Sequence, residues 1–158
     1  MRARRSRLLY ADEVTDVFSV DERSRVMSRI RSKDTLPERT VRSYLHSNGF
    51  RFRLHSPGLP GRPDLVLARY RLAIFVHGCF WHGHRRCKKG RRRPETNQDF
   101  WNTKIAKNVR RDQKAQRALA RMGWDVITVW ECQVRDPQKL AGLFVDLFDQ
   151  RSAMRGED

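Results

Sequence analysis

The chain has 158 residues, enough for one domain with a proper core and short tails. Lysine and arginine number 34 against 18 aspartates and glutamates, and the resulting net charge of +16 points to a polyanionic partner, nucleic acid ahead of an acidic membrane surface. No apolar run approaches the roughly 20 residues that span a bilayer. The basic start MRARRSRLLY lacks the apolar core of a signal peptide. Three cysteines cannot pair completely, a cytosolic chain has no need to pair them, and metal ligation suits the odd count better than disulfides do.

In chain order, residues 1–16 read as a basic, flexible arm, 17–150 as one domain and 151–158 as a flexible tail. A first helix is predicted over Asp21–Arg31, capped by Ser19 or Asp21, with Val26, Met27 and Ile30 as apolar positions. The run Thr35-Leu36-Pro37-Glu38 starts a second. Thr35 is a good N-cap, Pro37 fits the first turn, and Glu38 is placed to close a capping box. Val41, Tyr44, Leu45 and Asn48 give that helix a face, and Gly49 ends it. The period then drops to two: Phe50, Phe52 and Leu54 alternate with Arg51 and Arg53, as in a half-buried strand.

After a loop at Ser56–Pro63 rich in proline and glycine, Asp64–Ala68 and Leu72–Val76 read as strands joined by a tight turn. Both are apolar on each face, as at the centre of a sheet covered by helices. A long helix follows over Asn97–Met122. Trp101, Ile105, Val109, Ala115, Leu119 and Met122 form its buried stripe, and Lys104, Lys107, Arg111 and Lys114 a basic one. Gly123 stops it, Trp124–Trp130 is another central strand, and Pro137 to about Phe148 is a last amphipathic helix. The order predicts an α/β sandwich.

The chemistry concentrates between Pro60 and Cys87. Asp64 opens an otherwise apolar strand, where a carboxylate is costly to bury unless it is paired or binds a metal; a surface turn aspartate is the plain alternative. Glu38 is the next carboxylate, with its capping role as the alternative. His77 ends the strand through Val76, beside a glycine, and His82 follows five residues on. A phosphodiester hydrolase needs a metal to polarise phosphate, a group for the water's proton and help for the leaving oxygen. Carboxylates and carbonyls suit Mg²⁺, and neutral histidine suits acid–base work near pH 7.

Cys79, His84, Cys87 and Cys132 include every cysteine and make a set of the kind a structural Zn²⁺ takes, with His82 as a rival fourth ligand and three packed, reduced thiols as the alternative. Phe80 and Trp81 lie in a hydrophilic loop, and Trp101 follows the basic run Lys88–Arg93. Aromatics beside a metal site can wedge between bases, or they can tuck over the core.

The motifs LPGRPD, FVHGCFWHGH, DFW followed by KNVRRD, and GWDVITVWEC occur in this order. Together they resemble the very-short-patch DNA mismatch repair endonucleases over about residues 19–133. The resemblance implies a restriction-endonuclease-like fold, a structural Zn²⁺ site and a Mg²⁺-dependent nick in one strand, next to the thymine of a T·G mismatch in double-stranded DNA. It implies a metal role for Asp64 and for the main chain of Val76, catalytic histidines at His77 and His82, and an assisting glutamate at Glu38. His77 is the residue expected to activate water.

By the same resemblance, Cys79, His84, Cys87 and Cys132 would hold zinc. Phe80, Trp81 and Trp101 would wedge from the major groove, and Met27 and Ile30 would enter from the minor groove. A monomer acting in the bacterial cytoplasm is the expected form, with coupling to other repair proteins open. The acid-x-lysine pair of related restriction nucleases is absent, so histidine chemistry would replace the lysine. His84 and Cys87 are separated by two residues where the family pattern has one, and the run Arg85–Arg93 is unusually basic. A restriction-type nicking enzyme on matched DNA and a non-catalytic, zinc-stabilised DNA-binding module are the alternative functions.

Overall fold

The computed structural model describes residues 33–155. The predicted arm, the helix over Asp21–Arg31 and both minor-groove residues, Met27 and Ile30, lie outside the described residues. The elements are α1 (Leu36–Ser47), β1 (Arg53–Leu54), β2 (Leu65–Leu67), β3 (Leu72–His77), α2 (Lys88–Arg91), α3 (Gln98–Arg121), β4 (Asp125–Trp130), α4 (Glu131–Val134), α5 (Pro137–Gly142) and α6 (Val145–Arg155). The four strands form one mixed sheet in sequence order. β1 pairs antiparallel with β2 and β2 with β3, and β4 lies parallel to β3 at the other edge with Val76 opposite Val129 and His77 opposite Trp130.

Alternation along β3 sends side chains to two cores. Leu72 and Ile74 join Val41, Leu45, Phe50, Leu65, Leu67, Val129, Leu140, Phe144 and Leu147, under α1, α5 and α6. Ala73 and Phe75 meet Ala115 and Leu119 of α3 on the opposite face. Truncating a fully buried member such as Leu45 should cost about 2–5 kcal/mol. The loop between β2 and β3 is also tied to the far end of α3. The Arg71 side chain donates to the Met122 and Gly123 carbonyls at 2.6 and 2.9 Å, capping the helix where β4 begins.

Several elements differ from their sequence patterns. The alternating stretch at Phe50–Leu54 is strand only at Arg53–Leu54, because β1 pairs with a three-residue β2 and Leu54 lies exposed at the edge. The second strand stops at Leu67 and passes into a 3₁₀ turn at Ala68–Tyr70. The long helix ends before Met122, whose side chain is exposed rather than part of the buried stripe. The last amphipathic stretch is two helices, broken after Gly142. The second continues past Phe148 to Arg155, held by Arg151, whose guanidinium lies 4.7 Å over the Phe50 ring and donates to the Asn48 carbonyl.

Candidate active site

The site gathers where β3 runs out, at the Val76–His77 peptide, and each face of the sheet supplies one half. On the α1 face, Thr35 caps the helix, and Glu38 turns back onto the cap without closing the predicted box, since it takes the Thr35 hydroxyl rather than the Thr35 amide: Thr35 Oγ1 donates to Glu38 Oε1 at 2.9 Å, and the Glu38 amide donates to Thr35 Oγ1 at 3.4 Å. Glu38 is almost fully buried, and its other oxygen accepts from the Asp34 amide at 3.0 Å and from Arg42 Nη2 at 3.1 Å. The same Arg42 nitrogen lies 3.3 Å from His55 Nε2. His55 Nδ1 in turn lies 3.8 Å from Asp64 Oδ1.

Asp64 therefore sits beside the sheet rather than on an open turn. Its Oδ2 accepts a hydrogen bond from the Val76 amide at 2.7 Å. Burial pushes its carboxyl above the ordinary value and the nearby Glu38 charge adds to that, against the Val76 hydrogen bond, His55 and Arg42. A half-buried carboxylate short of positive charge, beside a strand end that offers main-chain carbonyls, fits a hard divalent cation.

On the α3 face the two histidines are stacked, with ring centroids 3.8 Å apart and planes 10° from parallel. Beneath them lies Asp112 of α3, whose Oδ2 is 2.5 Å from His82 Nδ1 and 4.0 Å from His77 Nδ1. Burial and the neighbouring His82 push His77 down to about 3, against the pull of Asp112, so its ring is neutral at physiological pH. Burial alone would raise Asp112, but the His82 hydrogen bond and the charges of His82, His77 and Arg111 hold its carboxyl below the ordinary value. Sequence reading missed Asp112. It sits within the predicted helix one residue after the basic position Arg111, and the usable signal was an acid one turn from the buried face of a strongly basic helix.

The loop that leaves β3 carries the candidate metal centre. Cys79, His84, Cys87 and Cys132 place one donor each within 4.8 Å of one another. His84 Nδ1 is 3.6 Å from Cys79 Sγ and 3.4 Å from Cys132 Sγ. Zn–S and Zn–N bonds of about 2.3 and 2.0–2.1 Å at tetrahedral angles put sulfur and nitrogen roughly 3.6 Å apart. The donor set thus fits zinc in both type and spacing. His84 is the histidine that lies beside the three thiols, and His82 instead lies against Asp112.

Burial raises the Cys79 thiol to about 12 and also raises Cys132, the direction expected of thiols packed together away from water. Two features seat the ring of His84 and the turn with the extra residue. The His84 ring stacks on Trp130 at 4.3 Å. The Gly90 amide donates to Cys87 Sγ, and a Cβ at Gly90 would fall 2.1 Å from the His84 carbonyl oxygen.

Phe80, Trp81 and Trp101 form one aromatic cluster, with centroids 5.1–5.9 Å apart. Trp101 is buried beneath the other two, as the core alternative for it anticipated. Phe80 and Trp81 are half-buried, and Phe100, which sequence reading passed over, is the exposed ring beside them. Lys104 Nζ lies 5.5–5.6 Å over the Trp81, Phe100 and Trp101 rings. Lys107, Arg111 and Lys114 continue the exposed basic stripe along α3.

Comparison with known proteins completes the picture. The family model described as "DNA mismatch endonuclease Vsr" matches residues 15–89. The chain is 47% identical over 136 residues to the type II nicking enzyme V.XorIIP of Xanthomonas oryzae pv. oryzae, covering 86% of this chain and 98% of that protein. It is 46% identical over 123 residues to the type II nicking enzyme V.NmeAIP of Neisseria meningitidis serogroup A, covering 78% and 86%. It is 43% identical over 127 residues to the DNA mismatch endonuclease Vsr of Escherichia coli K12, covering 80% of each. Similarity of that depth across most of both chains makes this protein a DNA endonuclease and a member of the Vsr DNA mismatch endonuclease family.

Proposed function

We propose that this endonuclease nicks one strand of double-stranded DNA next to the thymine of a T·G mismatch, the lesion left when 5-methylcytosine deaminates. The observation that carries the chemistry is the His77–His82–Asp112 stack lying one peptide away from the Asp64–Val76 contact. Asp64 and the main-chain carbonyl of Val76 would hold magnesium, which when bound supplies polarisation of the scissile phosphate. Asp112 accepts from His82 Nδ1, which leaves Nε2 as the nitrogen on which this ring would take the proton of the attacking water.

Sequence reading put that task on His77. The Asp112 contact gives His82 the stronger geometric claim, and leaves His77 as the neutral ring packed against it. Glu38 assists from a distance, through Arg42. Cys79, His84, Cys87 and Cys132 would hold structural zinc and so stiffen the loop that carries Phe80 and Trp81.

Phe80 and Trp81, supported by Trp101 and flanked by exposed Phe100, would part the stack at the wobble pair. A mismatch costs less to unstack than a matched pair, so the wedge itself discriminates. The basic stripe of α3 and the exposed cations at Arg85, Arg86, Lys88 and Arg91 grip phosphates without reading sequence. Monomeric action fits a single-strand cut, and Met27 and Ile30 remain the proposed minor-groove contacts. Two relatives are named type II nicking enzymes, which supports strand nicking and keeps a restriction-type reading on matched DNA as the second possibility.

The test is a set of end-labelled duplexes that differ only in one T·G or T·A pair, incubated with Mg²⁺ and run on a denaturing gel. A nick confined to the thymine strand of the T·G duplex supports the mismatch reading. Equal cutting of both moves the assignment to matched DNA.

A further inference from the structure

We propose that His55 is a positioning residue for Asp64, the last link of a chain Glu38–Arg42–His55–Asp64 that connects the cap of α1 to the metal-binding carboxylate. The inference rests on the reading of Asp64 given above.

The backbone puts His55 in its place by two means. Its amide donates to the Asp64 carbonyl at 3.2 Å, so the two residues lie side by side at the sheet edge. Its φ of +46° is left-handed, a conformation that strains a non-glycine residue and persists where surrounding structure imposes it. The ring is then addressed from both ends. Arg42 has donors alone, so the 3.3 Å contact from its Nη2 requires a lone pair on His55 Nε2. A neutral ring with its lone pair on Nε2 carries its proton on Nδ1, and Nδ1 faces Asp64 Oδ1 at 3.8 Å.

Glu38 keeps Arg42 pointed that way, because its Oε2 accepts from the same Nη2 at 3.1 Å, while Asp34 holds Nη1. The two oxygens of Asp64 therefore meet different groups: Oδ2 accepts from the Val76 amide, and Oδ1 lies 3.8 Å from His55 Nδ1, a polar contact longer than a hydrogen bond. A neighbour of this kind fixes the orientation of a metal-binding carboxylate, and its loss typically costs 10–100-fold in metal affinity or activity. The chain also gives buried Glu38 a route to the site that does not require it to leave its cap.

The experiment has two arms on the full chain. Long-range ¹⁵N–¹H NMR of DNA-free protein reads the tautomer of His55 directly. The Nδ1-protonated form is expected, and an Nε2-protonated ring would overturn the proposal whatever the enzyme's substrate. In the second arm, His55→Ala and His55→Asn are compared with wild type for single-turnover nicking at saturating T·G duplex, for duplex Kd, and for the midpoint of a calorimetric Mn²⁺ titration without DNA.

His55→Ala should slow nicking and raise the Mn²⁺ midpoint, each about 10–100-fold, while Kd moves less than about twofold. His55→Asn should recover most of both, since its amide nitrogen stands near the place of Nδ1. Wild-type values in His55→Ala, or Asn behaving like Ala with duplex binding lost in step, would overturn the assignment. Wild-type protein that binds Mn²⁺ no better than Asp64→Ala would instead remove the metal reading of Asp64, and the tautomer would still decide the contact between His55 and Arg42.

Discussion

The two halves of the site meet at one peptide, yet they are built from contacts of opposite range. The carboxylate half runs through Thr35, Glu38, Arg42, His55 and Asp64, and most of its links are three or four residues apart on α1 or span a single loop. The imidazole half joins His77 and His82 to Asp112, which is 30 residues beyond His82 and reaches them only because α3 packs across β3. Local capping rules therefore foretell the Thr35–Glu38 end of the first half, whereas Arg42 and His55, which no sequence pattern singled out, and the whole second half are brought together by tertiary packing. The electrostatics divide in the same way: burial leaves Asp64 reluctant to ionise, whereas Asp112 is held ionised by the histidines above it.

The sharpest way to break this comparison is to disable each half separately. Asp64→Ala should abolish nicking, by more than about 10³-fold, and remove divalent-cation binding while duplex Kd survives on the phosphate contacts. His82→Ala should slow nicking by about 10²–10⁴-fold and leave the Mn²⁺ midpoint unchanged. If His82→Ala shifted that midpoint as Asp64→Ala does, the two halves would be one unit. Asp112→Asn is the milder version. It removes the charge but keeps the shape, and a loss of about 10–100-fold in single-turnover rate, with no change in Kd, is the expected result.

The shared loop can be broken without touching either half. Gly90→Ala drives a methyl into the His84 carbonyl, so the turn that holds His84 and Cys87 must move. Bound zinc per chain, measured by elemental analysis, should fall well below that of wild type, and the thermal midpoint should fall with it. Retention of full zinc would show that the turn can yield without disturbing its donors.

Acid sharpens the comparison further because the two halves respond with opposite sign. His77 is lowered from 6.5 to about 3, so between those values the unfolded chain binds a proton that the native ring refuses. Stability from this group is complete above pH 6.5 and drains away as pH falls towards 3, with a slope of up to about 1.4 kcal/mol per unit. Asp112, held below its ordinary value of 3.8, begins to lose its share as pH falls through that value. Asp64 is raised, so its burial is relieved by protonation and its contribution improves as pH falls. Urea midpoints from pH 7.5 to 4.5, without added divalent cation, should decline in wild type and flatten in His77→Gln. Asp64→Asn should raise the midpoint at neutral pH, by on the order of 1 kcal/mol.

The smallest effect is expected from Arg85, Arg86 and Lys88 replaced together by glutamine. The dependence of log K on log salt should become shallower by up to about 0.9 per lost phosphate contact, with the single-turnover rate at saturating duplex unchanged.

Much of this was legible in the residues because it depends on short-range order. Thr35, Pro37 and Glu38 announce the start of α1, Gly123 ends α3, and the apolar run at Leu72–Val76 is a central strand as expected. The Val126–Val129 run, expected to be central too, lies in β4 at the edge of the sheet, which pairs only with β3 among the described residues. The four zinc-type donors were visible by residue type alone. Where prediction overreached, the missing quantity was a partner. The Phe50–Leu54 alternation has too little β2 to pair with, and the pattern over Pro137–Phe148 cannot show that Arg151 would anchor a second helix beyond it.

By itself the sequence determined the family, the α/β class, the basic DNA-facing character and the chemical type of each site residue, since these follow from composition, periodicity and motif. Tertiary structure alone decided that His84 rather than His82 faces the thiols, that Asp112 lies under the histidines, and that Trp101 is buried support for Phe80 and Trp81. The physical reason is one of range. Propensity and capping act within a helical turn, whereas a tautomer, a ligand place or a depressed pKa is set by whichever atom another element brings within about 4 Å.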